Sequence, residues 1–361
     1  MTNYQSDLAI HPGEFLEEVL EDIGMSQKEL SKRVGRPTQA INEIVKGKKS
    51  ITSVTALEFE DVLKVPVHIW IGLESEYQIV KAKEREREQM QAETKLLPKF
   101  PYLDLAKAGF VKQTRIAIEK VEELKLFFSV AKLEQIAHVK TYQPAFRVSN
   151  HKEVSHEAIA TWLQAGHLKA EEMQTSSFNA KRLKSSLEAV KNCMNFEDIN
   201  NAVKEVQVIL AKCGVALVLL PHFKKTNIHG ATFWLNSKEK AVIVMSLRGS
   251  YSDIFWFGLF HEVGHILLHH KREVFLEDGY DDPELKKQED EADIFAKQLL
   301  IPQKDFDRFT DKKDFSKSAI VDFSKQLNIK SSIVIGRLMH EGLVPFKNHV
   351  LQSLRDRYKW A

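Results

Sequence analysis

Along the chain, the spacing of apolar positions changes period several times. Phe15, Leu16, Val19, Leu20 and Ile23 follow Pro12-Gly13 at the spacing of one helix face, and Gly24 ends the run. Ser26, with Glu29 three residues on, predicts a capping box opening a second helix that stops at Gly35. Pro37-Thr38 opens a third, which ends at Gly47. Its inward side is Ala40, Ile41, Ile44 and Val45; its outward side is Thr38, Gln39, Asn42 and Lys46. From Leu103 to about Lys212 the pattern reads as amphipathic helices, among them Val121–Ile136, Ser155–Met173 with a Ser155 cap, and Phe196–Gly214. The period then shortens. Val215–Leu220, His229–Asn236 and Ala241–Leu247 read as strands, the last two close enough to pair as a hairpin. A strongly apolar helix follows, with Asp253 as its expected cap. Ala292, Phe295, Ala296 and Leu299 mark the buried stripe of another, and Ser318–Val344 reads as two more short helices.

At 361 residues and 43% apolar, the chain has room for several domains with real cores. The expected organisation is α+β and multidomain: a DNA-binding domain over 1–80, a charged linker over 81–100, and a helical middle region over 101–212. A domain with a small sheet over 213–345 and a basic, mobile tail over 346–361 complete it. The middle region is either structural or a sensor, and its histidines (His138, His151, His156, His167) read as surface or packing residues. Lys and Arg total 52 against 50 Asp and Glu, so a polyanionic partner has to be sought in local clusters. Two cysteines without a CxxC pair exclude a cysteine-based zinc site and a disulfide framework. The N-terminal residues lack a signal-peptide core, and no run of about 18 apolar residues predicts a membrane span. A cytoplasmic location is expected.

Such a local cluster exists. Residues 1–25 contain six acidic side chains and no Lys or Arg, whereas 26–50 hold seven Lys and Arg against two Glu. Helix, tight turn and helix at this charge flip predict a helix-turn-helix whose second helix enters the major groove. Gln39 and Asn42 suit bidentate pairing with adenine. Gln27, Arg36, Thr38, Lys46, Lys48 and Lys49 complete the expected DNA face, the cations on phosphates. A small helical bundle without a DNA role is the bland alternative.

In "FHEVGHILLHH", His261 and His265 lie one turn apart on one helix face. Two imidazoles at that spacing can bind one Zn2+ per chain, with Glu262 beside the open coordination position as general base. An ordinary helix is the competing reading. Its weakness is the apolar flank, which buries two histidines and a carboxylate at a cost of several kcal/mol for an unpaired charge. For the third ligand, the metzincin position is occupied by Lys271. His269 is rotated about 80° from His261 at about 100° per residue. Glu289, in phase with Ala292 and Ala296, is preferred over Glu291. Asp293, one turn on, is placed to accept an imidazole N–H. His222 and His229, in the loop before the hairpin, are weaker candidates for steadying a reaction intermediate, and Gly230–Trp234 is read as an edge strand able to align an extended peptide.

The stretch from "IHPGEFLEEVLEDIG" through "GKKSIT" resembles the HigA branch of the lambda-repressor-like regulators over about Ile10–Tyr77. The stretch from Cys213 to Leu343 resembles the ImmA/IrrE zinc metallopeptidases. These resemblances imply a five-helix domain binding double-stranded operator DNA, usually as a homodimer and sometimes with a partner toxin. They also imply a zincin-like core with zinc on His261, His265 and Glu289. Regulated endopeptidase cleavage of a repressor or antitoxin, or of the chain itself, follows from the second resemblance. A HigA-like regulator with a non-proteolytic metal sensor is the alternative.

Overall fold

The computed structural model describes residues 10–142, 145, 154–235, 239–246, 251–269, 275–276 and 283–358. His151, parts of the hairpin loop and the last three residues therefore lie outside the described residues. The chain divides into two compact units, Met1–Thr94 and Lys95–Ala361.

The first unit is five helices: α1 (Pro12–Asp22), α2 (Gln27–Arg33), α3 (Thr38–Val45), α4 (Ser53–Leu63) and α5 (Val67–Glu93). Each boundary has a local cause. The His11 ring accepts the Gly13 N–H at 2.8 Å before α1, and the Ser26 hydroxyl accepts the Glu29 N–H at 3.1 Å before α2. The Glu29 carboxylate pairs instead with Arg33, so only half of the expected box is seen. Gly24, Gly35 and Gly47 all have φ near the left-handed region, which lets the chain reverse without a Cβ clash. Leu16, Leu20, Leu30, Ile41, Ile44, Phe59 and Trp70 close a single core. The charged run expected as a linker is the second half of α5, an exposed helix within this unit.

The second unit joins the helical middle region and the sheet in one body. Its helices before the sheet are α6 (Tyr102–Lys107), α7 (Ala117–Phe128), α8 (His156–Glu172), α9 (Ala180–Asn192) and α10 (Ile199–Lys212). The single helix expected over Val121–Ile136 breaks at Ser129, which takes a left-handed conformation (φ 53°), and resumes as a 3-10 turn over Leu133–His138. Gly214 (φ +83°) turns α10 into β1, where a Cβ would stand 2.3 Å from the Phe178 backbone.

The strands are β1 (Val215–Leu220), β2 (Gly230–Leu235), β3 (Lys240–Ser246) and β4 (Phe275–Leu276), in sheet order β1-β3-β2-β4. β1 runs parallel to β3, with Leu217 opposite Ile243. β2 and β3 form the expected antiparallel hairpin, with Leu235 opposite Lys240. β2 is not the edge strand that was expected, because β4 pairs with it at Ala231 and Thr232. Both faces of the sheet are covered, which explains its unbroken apolar runs. On one face Gly166 of α8 lies against Val244; on the other, Met245 meets Gly258 of α11 (Ser252–Leu268).

The rest of the unit is α12 (Pro283–Leu300), α13 (Gln303–Thr310), α14 (Lys317–Gln326), α15 (Ser331–His340) and α16 (His349–Gln352). α11 and α12 pack so closely that a Cβ on Gly264 would stand 3.2 Å from the Ala292 Cα. The end of α12 is held by the buried Arg337 of α15. Its guanidinium donates to the carbonyls of Lys297 and Ile301 and to the Gln303 side chain, and stacks on Phe306 at 3.9 Å. Such a cation satisfies carbonyls that the helix leaves open.

Two expectations fail at the other end of α11. Asp253 does not cap it: the cap position is Tyr251, without a side-chain bond, and the Asp253 carboxylate takes two hydrogen bonds from Arg355 at 2.6 and 3.2 Å. The described part of the tail is accordingly docked and not loose. Tyr358 accepts the Trp256 indole N–H at 2.7 Å and donates to Ser252 at 3.0 Å. A partner about a hundred residues away outweighs the local capping signal.

Candidate metal centre

Helix α11 is buried on nearly every side, and it carries His261, Glu262 and His265 into the interior at 3%, 1% and 2% exposure. The 3.6-residue period puts the two imidazoles side by side on one face, edge to face with ring centroids 4.7 Å apart. α12 crosses beside them because Gly264 and Ala292 have no side-chain bulk to separate the helices. That approach brings Glu289 to the imidazoles: Oε2 is 3.0 Å from His261 Nε2, Oε1 is 3.4 Å from His265 Nε2, and the two Nε2 atoms are 2.9 Å apart. The structure thus gathers His261, His265 and Glu289 as a group able to hold a metal ion. A tetrahedral ion with N and O ligands at about 2.0–2.1 Å spaces those ligands by roughly 3.3 Å. The cluster matches that spacing with small adjustments, and its donor set is of the kind that binds zinc.

Behind the ligands, the Asp293 Oδ1 lies 2.9 Å from His261 Nδ1. A carboxylate there fixes the tautomer in which Nε2 presents its lone pair to the cluster. His265 Nδ1 lies instead 3.0 Å from His269 Nδ1, and His269 Nε2 lies 3.2 Å from Glu291. Glu291, the rival for third ligand, is therefore engaged away from the cluster.

The ion-free charges couple tightly. Burial alone pulls the His261 imidazole down. The hydrogen bonds that His261 donates to Asp293 and Glu289, and the charges of Glu262 and Glu289, outweigh it, raising the pKa to about 11. Burial also lowers His265, helped by the His261 and His269 charges and only partly opposed by Glu289. Glu289 is raised by burial but held down to about 2 by hydrogen bonds and charge from both imidazoles. One proton on His261 thus stands where a cation would neutralise the acid.

The Glu262 carboxylate turns toward β2. The Thr232 hydroxyl, on a residue 1% exposed, hydrogen-bonds to it, and a Cβ on Gly230 would lie 2.3 Å from its Oε1. Neither Thr232 nor Gly230 is singled out by the sequence. A threonine in a strand looks like β propensity, and a glycine at a strand start looks like a turn. His222 and His229 sit in the loop before β2, exposed and half-buried respectively.

On the first unit, Thr38, Gln39, Lys46, Lys48 and Lys49 are exposed, and Gln27, Arg36 and Asn42 are half-buried. Asn42 donates to Gln27 at 3.3 Å and Gln39 to Glu43 at 3.0 Å, so α2 and α3 present a joined polar face. The Thr38 hydroxyl lies 3.0 Å from that of Ser31. Arg36 is tied to Glu58 of α4.

A family model described as the IrrE N-terminal-like domain matches residues 216–322, and a helix-turn-helix model matches 16–70. Virulence-associated protein I of Dichelobacter nodosus is 35% identical over 77 residues, which are 21% of this chain and 71% of that protein. Among solved structures, an addiction module antidote protein of the HigA family from Coxiella burnetii is 32% identical, over 23% of this chain and 92% of that one, with a TM-score of 0.22. Pseudomonas aeruginosa antitoxin HigA, solved with the higBA promoter, is 26% identical over 24% of this chain and 94% of its own, with a TM-score of 0.23. Fold and matches together define a helix-turn-helix DNA-binding protein with a metallopeptidase domain in its second unit. Over its first unit the chain belongs to the family of virulence-associated protein I, and residues 216–322 of its second unit match the IrrE N-terminal-like domain of the ImmA/IrrE metallopeptidases.

Proposed function

We propose that the chain is a DNA-binding regulator whose second unit is a zinc-dependent endopeptidase acting on a regulatory protein, a repressor or antitoxin, or on the chain itself. The observation that carries this reading is the convergence of His261, His265 and Glu289, with Glu262 buried next to them. His261, His265 and Glu289 would hold one Zn2+, which would supply Lewis acidity. Glu262 would serve as general base toward water and as general acid toward the leaving amine. Thr232 donates to Glu262 and fixes its direction, and Asp293 holds His261 in the tautomer with a free Nε2. The packed helices α11 and α12 keep bulk water from the ligands.

Gln39 and Asn42 of α3 would read operator bases, with Gln27 and Thr38 beside them and Arg36, Lys46, Lys48 and Lys49 on phosphates. In this proposal the chain binds double-stranded operator DNA as a homodimer and has a toxin as a further partner. No described helix is long and apolar enough to cross a membrane. That accords with a protein acting at chromosomal DNA in the cytoplasm.

In the alternative reading the chain is a HigA-like regulator whose metal domain senses and does not cut. Glu262→Gln separates the two. The variant is expected to keep its zinc and lose proteolysis, so that an intact protein accumulates in cells carrying it. Zinc-loaded wild type and variant with identical cellular protein patterns, under stress and without it, would leave only the sensor.

A further inference from the structure

Asp293 accounts for the back of one histidine ligand, and the back of the other is occupied by an arrangement of a different kind. His265 turns Nε2 to the cluster and Nδ1 to His269, 3.0 Å away. The His269 side chain is 3% exposed, and its far nitrogen reaches Glu291 at 3.2 Å. Glu291 is 44% exposed, within 3.9 Å of Lys287, and so joins the buried pair to solvent.

Hydrogen-bond chemistry allows one assignment of protons along this row. A neutral His265 that offers its Nε2 lone pair to an ion carries its proton on Nδ1. His269 Nδ1 must then accept, which places the His269 proton on Nε2, and the Glu291 carboxylate accepts that proton. Without Glu291, His269 can take the other tautomer, so that two N–H groups face each other inside the protein; without His269, the His265 Nδ1–H loses this acceptor. We infer that His269 and Glu291 are positioning residues for the metal site: acting in series, they hold His265 in the ring orientation and tautomer that ligation requires. This inference rests on the metal reading above. It also gives the two residues set aside as ligands a use that a search for a third ligand overlooks. His269 is one turn beyond His265, and Glu291 lies between Glu289 and Asp293.

The test measures Zn2+ affinity of the full chain by competition with a chromophoric chelator, with helix content checked by circular dichroism. Loss of a group that orients a ligand typically lowers metal affinity by about 10–100-fold. His269→Phe is expected to fall in that range and Glu291→Leu, at a partly exposed position, to lose a smaller factor. Because the two act in series, the double variant should match His269→Phe within about twofold, where independent contributions would multiply. Should His269→Phe fail to fold, Glu291→Leu and His269→Asn, which keeps an acceptor facing His265, decide the matter. Asparagine is expected to recover part of the affinity. Wild-type affinity in both Glu291→Leu and a folded His269 variant overturns the inference while the metal reading stands. A wild-type chain that binds no Zn2+ removes both.

Discussion

At residue 230 the backbone passes so close to Glu262 that any side chain would push on the carboxylate. With a Cβ placed 2.3 Å from Oε1 and 2.9 Å from the carboxyl carbon, one of them must move. Gly230→Ala should therefore displace Glu262, the proposed general base, while leaving His261, His265 and Glu289 in place. Proton transfer by a positioned group is worth about 10²–10⁴-fold. Hydrolysis of a cellular substrate is expected to drop by about that much at unchanged zinc content. Activity equal to wild type would mean that Glu262 does not work from the position seen here. The site residues were legible to different degrees for physical reasons. His261, Glu262 and His265 announce themselves by spacing, and Glu289 by its phase with an apolar stripe. Thr232 and Gly230 come to Glu262 through tertiary packing of a strand on a helix, which no local pattern encodes.

Among the elements, α3 was the most readable, bounded by Pro37 and Gly47 and split cleanly into inward and outward sides. Its function gives a direct prediction. Gln39→Ala and Asn42→Ala should each lower discrimination between operator and mutated operator by about 1–3 kcal/mol, whereas Lys48→Ala should weaken binding to all sequences alike. Fluorescence anisotropy at fixed salt distinguishes the two patterns. α11 was read correctly in its apolar body and incorrectly at its start. Removing Arg355 would leave the Asp253 carboxylate buried without its partner. Although burial already raises the Asp253 pKa, Arg355→Ala is expected to cost about 3 kcal/mol in urea unfolding of the chain. The break at Ser129, the two-residue β4 and the short α13 escaped the sequence pattern. Two-residue pairings and non-glycine left-handed residues carry almost no local signature.

For the whole molecule, a helix-turn-helix domain and an IrrE N-terminal-like domain share one chain, and in the second the proposed metal site competes with protons. The carboxylates facing His261 outweigh its burial and raise its pKa to about 11. Zinc must displace the imidazole proton, so binding releases it, and the apparent affinity falls as the solution is acidified. A decrease of about tenfold per unit between about pH 8 and 7 is expected in chelator competition. An affinity independent of pH there would show that the imidazole is already free. The charge flip between residues 1–25 and 26–50 made the first module visible at this scale. Fusion of the middle helices with the sheet into one body was not visible, because contacts such as Gly166 on Val244 join segments far apart in sequence.

Arg337 has a mechanical consequence. It roots α12 at the Ile301 end, and the contact of Ala292 with Gly264 supplies a second bearing partway along. Glu289 projects one turn past that bearing, roughly 18 Å from the root at about 1.5 Å per residue. The helix thus acts as a cantilever whose short free span carries the third ligand. Of the three clustered groups, Glu289 alone lies on that span, so its distance to the imidazoles is set by the tilt of α12.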